Sequence, residues 1–141
     1  MNKKIILLAL VIITIASIFA GCTKKINKEQ TEATQVNIGT YYQITQDEAK
    51  RIMDTESDYI IVDAREQNEY DEGHIKDAIV IPYTVIEQRA EEMLPNKEQL
   101  ILVYCRSGRR SKIAAQSLAN MGYTNVKEFG GIIDWPYEVE E

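Results

Sequence analysis

Three stretches of this chain are almost free of polar side chains: YIIVDA at residues 59–64, AIVIP at 78–82 and LILVYC at 100–105. A strand with one face in water alternates apolar and polar residues. Runs this uniform instead suit a sheet covered on both faces, as parallel sheets are. Helical patterns separate them, over 66–72, 83–93 and 110–121. In the last, Ile113, Ala114, Ser117, Leu118 and Met121 make one stripe and Gly122 is a stop. Ahead of the first run, YYQIT reads as a short strand. Thr45 with Glu48 then forms a capping box for a helix whose Ala49, Ile52 and Met53 share a face. Strand and helix in alternation predict an α/β domain over residues 41–141, with a small, mostly parallel sheet of about four or five strands and helices on both faces.

The residues before 41 read differently. Lys3 and Lys4, an uncharged apolar run from Ile5 to Ala20, and the small pair Ala20 and Gly21 before Cys22 have the layout of a secretory signal over residues 1–21. As a helix the run would span about 24 Å, short of the roughly 30 Å hydrocarbon core, which favours a cleaved leader over a permanent span. Residues 22–40, polar and without period, read as a tether with a reach of about 20 to 25 Å.

That leaves Cys105 at the end of the LILVYC run. If Cys22 is used elsewhere, no intramolecular disulfide can staple the domain and Cys105 is free to react. The residues that follow turn the chain into a helix. Such a loop can point backbone N–H groups at an anion, backed by the positive helix end, and Gly108 supplies the permissive backbone. Residues 99–127 hold Arg106, Arg109, Arg110, Lys112 and Lys127 and no acid, whereas the domain from residue 41 carries 11 cations against 20 acids. A positive island in an acidic domain suits a small anionic substrate; nucleic acid would want a broad basic face. A helix start and neighbouring arginines both favour thiolate over thiol, so Cys105 is a candidate nucleophile. The alternative for each feature alone is a small core side chain and solvated arginines. One histidine and two separated cysteines fall short of a zinc site, and no phosphate-loop or dinucleotide fingerprint is present, so no cofactor is expected.

The segment YCRSGRRSKIAAQSLANMGYTNV resembles the active-site segment of the rhodanese sulfurtransferases. IIVDAREQNEYDEGHI is similar to the strand and helix that precede that site, and GGIIDWP to the closing Gly-Gly-x-x-x-Trp segment. The resemblance runs through essentially all of residues 41–141. It implies a five-stranded parallel fold. It also implies a cysteine that takes sulfane sulfur from a donor such as thiosulfate, holds it as a persulfide and gives it to a thiol or cyanide-like acceptor. On this resemblance Cys105 is the sulfur carrier, with Arg106, Ser107, Gly108, Arg109 and Arg110 completing its loop and Ser111 donating beside it. Asp63 and Arg65 match an Asp-x-Arg pair expected as an ion-paired scaffold. His74 falls where a turn-bracing residue is expected, and Trp135 with Tyr137 where a hydrophobic lid packs on the sheet. Asp77 and Val80 depart from the usual Gly and Asn. The segment FAGC resembles the lipobox of bacterial lipoproteins, with Phe19 where Leu is usual; it implies lipidation of Cys22 and a monomer anchored on the outer face of the cytoplasmic membrane.

Two other readings compete. Cysteine-dependent phosphatases, and arsenate reduction with them, use a Cys, five intervening residues and an Arg, whereas Arg110 here has only four between it and Cys105. A binding module without turnover keeps the fold and usually loses the cysteine, which is present.

Overall fold

The structure, a computed structural model, describes residues 39–141. The leader, Cys22 and the tether up to residue 38 lie outside the described residues. The chain runs through β1 (Tyr42–Gln43), α1 (Gln46–Thr55), β2 (Tyr59–Asp63), α2 (Gln67–Asp71), β3 (Ala78–Val80), α3 (Ile86–Met93), β4 (Leu100–Cys105), α4 (Arg109–Asn120), β5 (Val126–Gly131) and a short 3-10 turn (Ile132–Asp134). The five strands form one sheet in the order β1-β5-β4-β2-β3, and each neighbouring pair is parallel.

The apolar runs become strands because both of their faces are covered. Ile101, Val103 and Cys105 of β4 face one cluster with Ala114, Ala115 and Leu118 of α4. Leu102 and Tyr104 face the other with Ala49 and Ile52 of α1, Phe129 and Trp135. Burying each Ile, Leu or Val side chain is worth roughly 1.5–3 kcal/mol, which favours a two-sided strand over any exposed arrangement of the same residues. Thr45 caps α1, its hydroxyl accepting from the Glu48 N–H at 3.1 Å, but the Glu48 carboxylate turns to Arg51 rather than back to the cap.

Two expectations change. The stripe of α4 is rotated: Ser111, Ala114, Ala115, Leu118 and Ala119 are buried, while Ile113 is 45% exposed. Small residues let this helix lie close to the sheet, and the large apolar side chain is left outside. β5 was not singled out in the sequence. Val126 and Phe129 point to opposite faces, and between them Glu128 points inward with Val126.

Candidate functional site

The carboxyl end of the central strand β4 opens into the loop from Arg106 to Gly108, which enters α4 at once. Ligand sites of open parallel sheets gather at such ends. Gly108 is the residue before the helix and has φ +89°, left-handed backbone that costs a glycine nothing. This turn swings the Gly108 N–H onto the Cys105 sulfur, N to Sγ 3.1 Å.

Next to it, the pairing of β4 and β5 slips. Val103 lies opposite Glu128 but Cys105 opposite Gly131, so β5 holds one extra residue there. Bulges of this kind re-aim strands beside functional sites. This one brings Gly131 under the loop. A Cβ there would sit 2.3 Å from Arg106 O and 2.5 Å from Ser107 Cα. Gly131→Ala is therefore expected to push the loop off the sulfur, costing about 1–3 kcal/mol. The urea midpoint checks this and should fall.

Cys105 is buried, with 0% of its surface exposed, so a donor reaches Sγ only as the surrounding loop yields. Burial by itself pushes the thiol up. It is outweighed by the Ser111 hydroxyl and by the backbone N–H groups of Ser111, Ser107 and Gly108, and the thiol lies below its ordinary value. The acidifying groups are thus a hydroxyl and a fan of amides.

The arginines are arranged otherwise than as a ring around the sulfur. Arg106 and Arg109 are exposed. Arg110 lays its guanidinium fork on Glu69 of α2, Nη1 to Oε2 2.6 Å and Nη2 to Oε1 2.7 Å. Glu69 Oε2 also accepts from the Glu66 N–H at 3.2 Å, so one carboxylate starts α2 and clamps α4. The Arg110 fork, with the Glu66 amide and the charges of Arg110 and Arg65 behind it, holds the Glu69 carboxyl down at about 2, against the opposing push of partial burial. Between about 4.5 and 2 the unfolded chain binds a proton that the folded one refuses, so stability falls as pH drops through that window. Glu69→Gln should lack this component, read as a shallower fall in the urea midpoint over the same range.

Asp63 and Arg65 are brought together behind β2. Both are buried, and Arg65 Nη2 donates to Asp63 Oδ2 at 2.6 Å. The Tyr104 hydroxyl donates to the same oxygen at 2.7 Å, and Arg65 also reaches Gly73 O at 2.7 Å. His74 stacks on Tyr70 and bridges its backbone to Glu140. Trp135 packs on Phe129, on the sheet face away from Cys105, and Tyr137 meets Trp135 edge-on. A groove of about 750 Å³ on that face, lined by Lys50, Ile61, Ile75, Trp135 and Tyr137 among others, is therefore remote from the sulfur. Among the described residues no group of three His, Cys, Asp or Glu could hold a metal ion.

The sequence reading missed Glu69 and Glu128. The Glu128 carboxylate is 2% exposed, and its Oε1 lies 2.6 Å from Ser111 Oγ. Its only signal is an acid at an inward position between Val126 and Phe129.

The sequence profile of the rhodanese-like domain matches residues 45–136. The chain belongs to this family. Thiosulfate sulfurtransferase PspE of Escherichia coli is 37% identical to it over 73 residues, which are 52% of this chain and 70% of that protein. The putative sulfur carrier protein YrkF of Bacillus subtilis is 33% identical over 110 residues, 77% of this chain and 58% of that protein. A solved rhodanese with anions from E. coli superposes with a TM-score of 0.56 at 32% identity, covering 59% of this chain and 98% of that one. The five-stranded parallel sheet with its helices is thus the rhodanese fold.

Proposed function

We propose that this rhodanese-like protein is a sulfurtransferase that carries sulfane sulfur on Cys105, from a small anionic donor such as thiosulfate to a thiol or cyanide-like acceptor. The supporting observation is the Cys105 sulfur at the end of β4 beneath the Ser107, Gly108 and Ser111 donors. In the first step the thiolate attacks the outer sulfur of thiosulfate. The donor's S–S bond breaks, and sulfite leaves with the electron pair. In the second step the acceptor attacks the outer sulfur of the persulfide and Cys105 leaves as thiolate. The donors that stabilise the thiolate therefore serve as well for its departure as for its attack. Exposed Arg106, Arg109 and Lys112 give the loop a cationic rim that draws an anionic donor in.

A thiosulfate and cyanide assay beside an aryl phosphate assay tests this. Thiocyanate formation without phosphate release supports sulfur transfer; the reverse pattern would favour phosphatase chemistry. The four-residue spacing from Cys105 to Arg110 leaves the loop a residue short for a tetrahedral phosphate.

The likeness to the Bacillus sulfur carrier supports a second reading, in which the persulfide passes to a protein acceptor without turnover on free thiosulfate. In either case we infer an anchored chain, lipidated at Cys22 and facing outward. Metabolic labelling with a fatty acid tests this: the label should enter the wild type and be lost in Cys22→Ala.

A further inference from the structure

Of the 11 cations from residue 41 onward, seven are ion-paired within the fold. Arg106, Arg109, Lys112 and Lys127 have no such partner among the described residues. The first three are exposed and follow Cys105 closely in the chain. In a domain with 20 acids, three unpaired cations together form a patch that meets anions from outside.

The patch is larger than a small anion needs. Arg109, Lys112 and Ile113 are exposed on one face of α4, and Gln116 and Asn120 continue that face at helical spacing. A shallow groove of about 380 Å³ follows it, lined by Tyr41, Lys112, Ile113 and Asn120 among others. The 3-10 turn is tied to the loop by the Ile133 N–H, which donates to Arg106 O at 3.2 Å. Ile113 is 45% exposed and Ile133 58%, while the other described isoleucines are buried or half-buried. Exposed apolar side chains beside arginines, around one reactive loop, have the make-up of a protein interface. Two acids border the patch: Asp134, next to Ile133, and Glu87, whose Oε1 accepts from Ser117 Oγ at 2.8 Å.

We propose that this face docks the sulfur acceptor, and that the acceptor is a protein whose cysteine sits on an acidic surface with an apolar residue beside it. The inference rests on Cys105 being the sulfur carrier. On docking, the acceptor thiolate attacks the outer sulfur of the Cys105 persulfide, the S–S bond of that persulfide breaks, and Cys105 leaves as thiolate. The sulfane sulfur ends on the acceptor as a new persulfide, so no outside oxidant or reductant is needed. An anionic membrane would also meet the cations, but lying on one would cover the mouth through which donor and acceptor reach Sγ.

The full chain is loaded with thiosulfate, freed of the excess and mixed with one of three short synthetic peptides. These share a cysteine and a leucine and differ in having glutamate, serine or lysine flanks. Loss of the added sulfur is read on the Cys105 peptide by mass spectrometry, so that Cys22 does not interfere. At low salt the glutamate peptide should take the sulfur about tenfold or more faster than the serine peptide, and the lysine peptide should be slowest. Flanking glutamates disfavour the peptide's own thiolate, so such a gain cannot come from its intrinsic reactivity. At about 1 M salt, where the screening length is about 3 Å, the preference should vanish. Lys112→Glu should turn it toward the lysine peptide. Ile113→Ser and Ile133→Ser should slow the glutamate peptide and leave transfer to cyanide at the wild-type rate. Equal rates for the three peptides at low salt would overturn the proposal. So would a glutamate peptide indifferent to all three substitutions, or a wild type that binds phosphatidylglycerol vesicles and shows no preference among the peptides. If Cys105 takes up no sulfur, the proposed function fails and docking is decided separately, by fluorescence anisotropy of labelled peptides with serine for cysteine. The glutamate peptide should then bind tightest, and binding no tighter than that of the other two would sink the docking face as well.

Discussion

Cys105→Ser is expected to reduce sulfur transfer to background while leaving the fold in place. An oxygen cannot take and release a sulfane sulfur, so no partial rescue is available through neighbouring groups. The substitution changes the side-chain volume little, and the Gly108 N–H that donates to Sγ at 3.1 Å keeps an acceptor in the serine oxygen. The expected stability change is therefore about 1 kcal/mol or less, on the scale of one exchanged hydrogen bond. Thiocyanate production and the urea midpoint are measured on the same preparation. Residual turnover in a folded variant would remove Cys105 from the mechanism.

Asp63→Ala should be the most damaging change to the fold. Its carboxylate takes the Arg65 N–H at 3.0 Å, the guanidinium at 2.6 Å and the Tyr104 hydroxyl at 2.7 Å, all in the interior. Removing it leaves a buried guanidinium with Gly73 O as its remaining acceptor, and a buried phenol with no acceptor for its proton. Breaking one side of a buried pair costs about 3–5 kcal/mol. Against a total of about 5–15 kcal/mol that is a large share, and activity should fall with the folded fraction. A shift in urea midpoint worth under about 1 kcal/mol would show that the pair contributes little net stability.

The architecture was legible where burial acts on both faces of a strand. The runs in β2, β3 and β4 are apolar but for Asp63 and the tyrosine hydroxyls, so their composition announces a covered parallel sheet. β5 was not legible for the opposite reason: VKEFGG carries a lysine, an inward glutamate and two glycines, and its place in the sheet is set by partners on β1 and β4. The rotation of α4 was hidden by its small residues. Ala115 and Ala119 carry less apolar signal than Ile113, yet they are the ones that fit against the sheet.

The site divides in the same way. A cysteine at a strand end, followed by Gly108 and a helix, is a local pattern that the sequence displays whole. The roles of Arg110 and Ser111 depend on Glu69 and Glu128, which lie 41 and 17 residues away along the chain. In a domain with 20 acids, nothing local marks those two as the ones that meet the loop. The sequence credited both the helix start and the arginines with acidifying the thiol; the Ser111 hydroxyl and the loop amides do so, while Arg106 and Arg109 are exposed and Arg110 is forked on Glu69.

If the sulfur beneath those donors accepts a second sulfur atom, mass spectrometry of the thiosulfate-treated protein will register it. About 32 Da should be added to the Cys105 peptide, removed again by cyanide and absent in Cys105→Ser. A Cys105 peptide that stays at its unmodified mass in excess thiosulfate would contradict it.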